Sequence, residues 1–198
     1  MEKKIFYISF LFLLMSCRQT EKLSQNDQTW MPYRGNETLV FKSNTGLSDT
    51  IFLLRKDTLW GYPDPALSTS KYEELAIFCK HTDSYSNEGE HHYLKNYFMK
   101  IKKAMSGHAE IIIYLSGRHA EFYRLSLIKL DSLNYESAIS LKTSSGLYDD
   151  VYVFSGEDWL GSLQARTNYI AKLYWSKSSG LIRYDKKDSV YWELSNKY

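Results

Sequence analysis

Two His-x-Glu pairs are the residues of this chain whose types and spacing come closest to a metal site. His108 and Glu110 form the first pair, and His119 and Glu121 form the second. On a β-strand, residues two apart share one face, so each pair could offer an imidazole and a carboxylate to zinc. However, the apolar run 111–115 lies between the pairs. A strand rising about 3.3 Å per residue holds them at opposite ends, so the sequence predicts no metal site here.

A second cluster of metal-ligand residue types lies upstream. The segment EGEHH at 88–92 places two carboxylates and two imidazoles around Gly89, and His81 precedes it. Histidines in a loop that lack supporting hydrogen-bond partners are usually exposed rather than metal-bound. The G-x-S-x-G, Walker, H-E-x-x-H and C-x-x-C motifs are absent from the sequence. We therefore expect no metal, no cofactor and no catalytic residue, although a spatially assembled Ser-His-Asp triad would leave no local motif.

Cys17 is the residue with the clearest chemical role. It follows an apolar run at 5–15, which Lys3 and Lys4 precede, and this is the layout of a secretory signal. The run is too short to span a bilayer, which needs about 20 apolar residues. The segment LMSC at 14–17 resembles the lipobox of bacterial lipoproteins. That resemblance implies that the Cys17 thiol carries diacylglycerol and that residues 1–16 are removed.

Acylation would make Cys17 a membrane anchor, because two or more acyl chains hold a protein stably at a bilayer. The alternative is an incidental cysteine at the end of an ordinary secretory signal. The polar residues that follow, 17–29, are expected to form a lipid-anchored tether. Residues 30–198 are expected to form a single β-rich domain, which is an ordinary domain size.

Four Asp-Ser/Thr-aliphatic triplets begin at positions 49, 57, 131 and 188. They resemble the O-glycosylation triplet of exported Bacteroidetes proteins. The resemblance makes the four hydroxyl residues candidate glycosylation sites: Thr50, Thr58, Ser132 and Ser189. The same triplets also suit the start of a strand after a turn, so both interpretations stay open.

The composition favours a β-rich fold and argues against nucleic-acid binding. The chain of 198 residues has a formal net charge of +2, without the concentrated basic face that nucleic acid requires. It contains 17 tyrosines and only three prolines, and 16% of its residues are aromatic. Aromatic and β-branched residues favour strands.

Short apolar runs of period two, separated by turn residues, predict ten strands. They cover 38–42, 50–54, 72–80, 110–115, 121–130, 138–142, 151–154, 169–175, 181–184 and 190–194. The run 111–115 is apolar on both faces and predicts a central strand, and DKKDS at 185–189 predicts a hairpin turn. The expected fold is therefore mainly β, with an antiparallel curved sheet, sandwich or barrel-like, and at most two short helices.

Two segments depart from the alternating pattern. Between 91 and 105 the apolar residues fit helical spacing better than strand alternation, but both a helix and a strand stay open there. The segment 157–165, behind Gly156, is a candidate for a second short helix. Cys79 would share a strand face with Leu75 and Ile77, which predicts a buried, inert thiol.

A short sequence recurs three times. KSNTGL at 42–47 and KTSSGL at 142–147 lie 100 residues apart, and KSSGL begins at 177. The repeat of 42–61 at 142–161 indicates either a duplication or the reuse of one hairpin turn. We favour the reuse of the turn, because its glycine supplies the left-handed residue that such turns need.

Three segments carry a wider resemblance, at 30–53, 146–154 and 170–194. They are similar to a group of small lipoproteins from Bacteroidetes, in strand-and-turn patterns rather than in polar sites. The resemblance implies an all-β domain lipid-anchored to the bacterial cell envelope, at the outer membrane, and it identifies no catalytic residue.

The expected function is that of a non-catalytic binding or structural module of the envelope. Its expected partners are membrane lipid, through acylated Cys17, and an envelope protein or glycan, with no nucleic acid. The alternative is a small hydrolase, or a protein that handles lipids or other apolar ligands in a pocket of the curved sheet.

Overall fold

A computed structural model describes residues 20–63, 70–81, 97–104, 106–116, 120–122, 124, 126–158 and 161–198. The protein is mainly β, with 59% of the described residues in strands and 7% in helices. Most strands belong to one 12-stranded sheet that curls into a half-barrel. The expectation of a mainly β fold with a curved antiparallel sheet and two short helices is confirmed.

The strands are β1 (Thr20–Glu21), β2 (Thr38–Ser43), β3 (Ser48–Gly61), β4 (Lys71–His81), β5 (Tyr97–Lys103), β6 (Ala109–Ile113), β7 (Leu115–Ser116), β8 (Glu121–Phe122), β9 (Ile128–Lys129), β10 (Ile139–Thr143), β11 (Gly146–Ser155), β12 (Ile170–Ser176), β13 (Gly180–Lys186) and β14 (Tyr191–Lys197). The large sheet has the order β10-β11-β12-β13-β14-β2-β3-β4-β5-β6-β9. All pairs along this path are antiparallel, and β1 adds to β4 in parallel. β7 and β8 form a separate pair.

The helices are short. They are α1 (Gln25–Gln28) and α2 (Leu130–Leu133), and a 3₁₀ turn covers Leu163–Ala165. This 3₁₀ turn is the only helical piece that the structure describes within the helix expected at 157–165, of which residues 159–160 lie outside the described residues.

Of the two conformations left open for 91–105, the described part adopts the strand, β5, and not the helix that the apolar spacing favoured. Met99 and Ile101 are buried, and they alternate with two lysines. Each lysine is paired with a carboxylate on a neighbouring strand. The ammonium of Lys100 lies 3.1 Å from Glu74 on β4, and that of Lys102 lies 3.3 Å from Glu110 on β6. These pairs join β5 to the strands on both sides, and they involve residues far apart in the sequence, so helical spacing does not reveal them. Residues 91–96 and 105 lie outside the described residues.

The position predicted for the run 111–115 also needs correction. β6 lies next to the end of the sheet, beside the two-residue strand β9, and is not central. Its apolar outer face is explained by the segment that follows it. Phe122, Leu127 and Ile128 line a crevice together with Ile112. The apolar side chains of this later segment, rather than a central place in the sheet, therefore cover β6.

The folded part of the chain begins earlier than the expected tether boundary. Thr20 and Glu21 pair with Lys71 and Tyr72 of β4, so residues 20–29 do not form a free tether. The side chain of Leu23 is buried, and this residue is apolar in an otherwise polar segment.

Helix α1 fixes the same segment. Its N-cap is Ser24, which exchanges hydrogen bonds with Asp27 in a capping box. The Asp27 carboxylate lies 3.3 Å from the ammonium of Lys103 on β5. Local capping and one ion pair therefore hold a segment whose polar composition predicts a flexible chain.

The segment after α1 enters the concave face of the half-barrel. Trp30 and Tyr33 are fully buried there. The Tyr33 ring contacts Phe98 of β5 at 5.4 Å and Trp175 of β12 at 5.8 Å, between ring centroids. Its hydroxyl accepts the Leu181 N–H of β13 at 2.8 Å. Tyr33 thus joins the two arms of the curved sheet, and burial raises its pKa.

The three repeats found in the sequence are three hairpin turns. They connect β2 to β3, β10 to β11, and β12 to β13. Each begins with a buried hydroxyl: Ser43, Thr143 or Ser176. Ser43 Oγ accepts the Leu47 N–H at 2.9 Å, and Ser176 Oγ accepts the Ser179 N–H at 3.0 Å. The three turns therefore each contain a buried hydroxyl, which lies within the repeat at Ser43 and Thr143 and just before it at Ser176.

Candidate functional site

An open groove lies where β12, β13 and β14 approach the β13–β14 hairpin turn. Its volume is about 560 Å³. Four cationic side chains and one carboxylate line it, together with a tyrosine, a serine and an alanine: Lys172, Arg183, Lys186, Lys187, Asp185, Tyr191, Ser189 and Ala171. We name this feature the basic groove.

The strand register brings these residues together. Asp185 of β13 pairs with Lys172 of β12 on one side and with Tyr191 of β14 on the other. Arg183 pairs with Glu193 of β14. Arg183 and Asp185 are two residues apart and so share one face of the sheet. The hairpin expected around 185–189 is confirmed, and its turn supplies Lys187 and Ser189.

One side of the basic groove is a rigid polar and aromatic cluster. The Arg183 guanidinium forms two bonds to the Asp185 carboxylate, Nε–Oδ1 at 2.6 Å and Nη2–Oδ2 at 3.2 Å. The Tyr174 hydroxyl donates to Asp185 Oδ2 at 2.9 Å. Arg183 also lies over the Tyr191 ring, 4.1 Å from its centroid. Burial and then Asp185 raise the pKa of Tyr174 to about 12, so this hydroxyl remains a donor.

The three lysines of the basic groove differ in how they are held. Lys186 is half-buried and donates to the Thr167 carbonyl at 3.0 Å. Burial lowers its pKa, against the opposing effect of Asp188 and Asp49. Lys187 is exposed and donates to Gln164 at 2.9 Å. Lys172 is exposed on β12.

A smaller groove of about 280 Å³ adjoins the first one. Lys186 and Lys187 line both grooves, and Arg166 lines the smaller one. Arg166 lies 3.2 Å from Glu121, which balances its charge. Asp188 also lines the smaller groove and offsets one charge, so the two grooves together keep an excess of positive charge from Lys172, Lys186 and Lys187.

The arrangement suits the binding of an anion. Asp185 neutralises Arg183, which leaves the ammonium groups of Lys172, Lys186 and Lys187 as the net charge of the basic groove. A charged groove raises the local concentration of oppositely charged ligands. Hydroxyl groups of Ser189 and Tyr191 add hydrogen-bonding capacity, and the Tyr191 ring adds an apolar surface.

A buried polar cluster lies inside the sheet near the same end. The Asp49 carboxylate accepts the Tyr184 hydroxyl at 3.0 Å and lies 2.9 Å from His81 Nε2. Burial, and then the Asp49 charge, raise the pKa of Tyr184. All three side chains are buried. The cluster joins β3, β4 and β13 across the half-barrel.

This cluster contains a His–Asp pair, but its geometry suits a structural role. His81 Nδ1 lies 3.2 Å from the Ser116 carbonyl oxygen, which can only accept a hydrogen bond. His81 Nε2 is engaged by Asp49. A general base needs a free nitrogen within reach of a substrate proton, and both nitrogens of this buried ring are occupied.

The His108–Glu110 pair has the predicted geometry on one face of a strand, since His108 Nε2 lies 2.9 Å from Glu110 Oε1. His119 and the segment 88–92 lie outside the described residues. Within the ranges that the structure describes, no group of three or more His, Cys, Asp or Glu side chains is placed to hold a metal ion.

Cys79 is buried on β4, as predicted. Burial raises the pKa of its thiol to about 12. The predicted burial is confirmed, and a raised thiol pKa is consistent with the predicted lack of reactivity.

The candidate modification sites lie apart from one another. Thr58, Ser132 and Ser189 are exposed, and Thr50 is half-buried on β3. Ser132 donates to the Lys129 carbonyl at 2.8 Å, and Ser189 lies in the β13–β14 turn with φ of 64°. A glycosylating enzyme could therefore reach three of the four hydroxyl groups. Glycosylation itself stays a prediction. Cys17 lies outside the described residues.

Sequence reasoning did not identify the basic groove. Its residues come from three strands and a turn, and only the strand register joins them. The available signal was the run RYDKKDS at 183–189, which contains three of the four cations in seven residues.

Comparisons of the chain with protein-family models, with curated proteins and with solved structures return no match. In the part of the chain that the structure describes, no helix combines the length and apolar character needed to cross a membrane.

Proposed function

We propose that this protein is an exported lipoprotein, anchored to the bacterial cell envelope through acylated Cys17, that acts as a non-catalytic binding module. The ligand that we propose is an acidic saccharide of the envelope, held in the basic groove. The outer membrane is the proposed location. The anchor rests on the lipobox resemblance of residues 14–17.

The observation that carries the binding role is the composition of the basic groove. It offers three lysines, a tyrosine ring and a serine hydroxyl in an open volume of about 560 Å³. A saccharide presents hydroxyl groups for hydrogen bonds and an apolar C–H face for an aromatic ring. A carboxylate or phosphate on the sugar would match the ammonium groups. The Arg183–Asp185 pair, held by two hydrogen bonds, would help to orient the ligand.

The alternative of an apolar-ligand pocket has less support. Such a pocket needs inward positions that are left unfilled. Large aromatic side chains occupy the described concave face, and Trp30, Tyr33, Trp175, Tyr184 and Trp192 are each at most 1% exposed. The alternative of a hydrolase would need an accessible base, and the His81–Asp49 pair is buried and fully engaged.

The anchor is tested with Cys17→Ser. We expect the wild-type chain to appear in the membrane fraction, to be released by detergent and to carry labelled fatty acid. The variant should accumulate as unprocessed precursor without the label. A variant that is still processed and membrane-bound would refute the anchor.

The groove is tested with the detergent-solubilised full chain and immobilised oligosaccharides of equal length, either neutral or built from hexuronate. Lys172→Glu with Lys187→Glu reverses two charges of the basic groove. We expect it to reduce hexuronate binding at least tenfold, and binding should weaken as salt rises. The control is Lys142→Glu, an exposed lysine on β10, which should bind normally. Equal binding by all variants, or a preference for the neutral sugar, would contradict the proposal.

A further inference from the structure

We propose that the β1-paired end of the β3–β4 ladder, at residues 59–63 and 70–72, rests in the headgroup region of the membrane. We name this feature the hairpin tip. The inference rests on the proposed acylation of Cys17, and it adds a lipid-contact surface and an orientation for the domain.

The first observation is where the N-terminal chain joins the fold. Thr20 pairs with Lys71, the first residue of β4. Gly61 and Tyr72 are the last residues paired between β3 and β4, so Thr20 lies beside the hairpin tip. Cys17 precedes Thr20 by three residues, which span at most about 10 Å when fully extended. A lipid on Cys17 would therefore bring the hairpin tip to the bilayer surface.

The second observation is the chemistry of the hairpin tip. Trp60 is 39% exposed and Tyr62 is 50% exposed. The Lys71 ammonium lies over the Trp60 ring, 4.3 Å from its centroid. Trp and Tyr are the residues enriched at membrane–water interfaces. Lysine keeps its ammonium among the headgroups while its methylenes cover apolar surface.

The described carboxylates near the hairpin tip have partners within the protein. Glu73 accepts the Leu23 N–H at 2.9 Å, and Glu74 is paired with Lys100 at 3.1 Å. Glu21 also has an interaction partner. Among the described residues, Glu73 and Glu74 are therefore engaged by groups of the protein, and Trp60, Tyr62 and Lys71 characterise the described surface of the hairpin tip.

The third observation is the direction of β4. This strand runs from Lys71 at the hairpin tip to His81, which contacts Asp49 and, through it, Tyr184. Ten residue steps correspond to about 33 Å. Tyr184 lies between Arg183 and Asp185, which line the basic groove. The orientation therefore directs the basic groove away from the lipid, where a soluble ligand can reach it.

The test uses the acylated full chain reconstituted in vesicles of phosphatidylethanolamine and phosphatidylglycerol that contain a headgroup spin-labelled lipid. A fluorophore is attached at Tyr62→Cys or, as the matched control, at Leu47→Cys in the β2–β3 turn. Leu47 is 53% exposed, and its turn contacts Tyr191 at the groove end, since the Asn44 N–H donates to the Tyr191 carbonyl. Cys79 is buried and Cys17 is acylated, so neither should take the label.

We expect the spin label to quench the fluorophore at position 62 at least twofold more than at position 47. Equal quenching at the two positions, in a protein that stays bound through Cys17, would overturn the orientation and leave the anchor intact. Failure of the unlabelled chain to acquire lipid would instead refute the anchor, and the orientation with it.

Discussion

Glu37 shows how a single carboxylate can hold a loop that has no regular structure. Its oxygens accept the N–H groups of Arg34 at 2.6 Å, Gly35 at 2.8 Å and Asn36 at 3.0 Å. Burial raises the pKa of Glu37, but these donors together outweigh it, so the pKa is lowered from 4.5. The loop that carries Tyr33 into the concave face is therefore fixed by charge-assisted bonds.

Replacing this carboxylate should weaken the fold in a pH-dependent way. We expect Glu37→Gln to lower the free energy of unfolding by about 1–3 kcal/mol at pH 7. Because the pKa of Glu37 is lowered in the folded state, its contribution is present above pH 4.5 and is lost as the pH falls through the lowered value. Urea unfolding at pH 7 and pH 3 measures this. The difference between wild type and variant should shrink at pH 3, and a constant difference would contradict the interpretation.

Among the elements, the strands with one buried face were predictable and the exposed ones were not. The prediction 50–54 found the part of β3 where Ile51 and Leu53 are buried. The strand continues to Gly61, but residues 54–60 are mostly exposed. Cross-strand hydrogen bonds to β4 maintain this outer half, and they leave no apolar period in the sequence. β5 departs from period two for a different reason, because a register shift opposite Ile77 and Phe78 places two consecutive buried residues, Phe98 and Met99, in the strand.

The candidate site could be predicted only in part. The turn at 185–189 was predictable because its residues are local, and its lysines are visible in the sequence. Lys172 belongs to a different strand and reaches the groove through its pairing with Asp185. Pairing between strands depends on the packing of the whole sheet, so no local pattern contains it.

Two of the three similar hairpin turns, β2–β3 and β12–β13, can be compared by the same glycine substitution. Gly46 and Gly180 have nearly equal φ values of 88° and 89°, so alanine meets the same backbone strain at both positions. A Cβ at Gly46 has no neighbour within 4 Å, whereas a Cβ at Gly180 would overlap the ring and hydroxyl of Tyr33. The β12–β13 turn is therefore part of the contact that closes the half-barrel.

We expect Gly46→Ala to cost about 1–2 kcal/mol of stability. Gly180→Ala should cost a further 1–3 kcal/mol or so, because the new methyl group displaces Tyr33. Chemical denaturation of both variants gives the comparison. Equal losses would mean that Tyr33 moves aside freely and does not fix the two arms of the sheet.

At the scale of the whole molecule, the N-terminal segment completes the hydrophobic core. The half-barrel leaves its concave face open, and Trp30 and Tyr33 fill it from outside the sheet. The Trp30 ring lies 4.8 Å from that of Tyr152 on β11. The sheet and this segment therefore form one folding unit, and a boundary placed before residue 30 would cut through supporting contacts.

Substitutions of Trp30 and Trp60 distinguish the role in the core from the proposed role at the membrane. Trp30→Ala should lower the free energy of unfolding by about 3–5 kcal/mol, as expected for a fully buried ring. Trp60→Ala should cost no more than about 1 kcal/mol, because Trp60 is 39% exposed. Thermal or urea unfolding of the two variants measures the difference. A large loss for Trp60→Ala would assign that residue to the core instead of the hairpin tip.

The pairing of β1 has a mechanical consequence for a protein fixed to a membrane at one end and to a ligand at the other. Tension between Cys17 and the basic groove would run along β4. Ten residue pairs join β4 to β3, and sliding two strands past each other loads all these pairs at once. β1 is joined to β4 by two pairs only. Under rising load β1 would detach first, then Leu23 and the Asp27–Lys103 ion pair would yield. Breaking the contacts in this order would lengthen the connection to the membrane while the groove and its ligand stay in place.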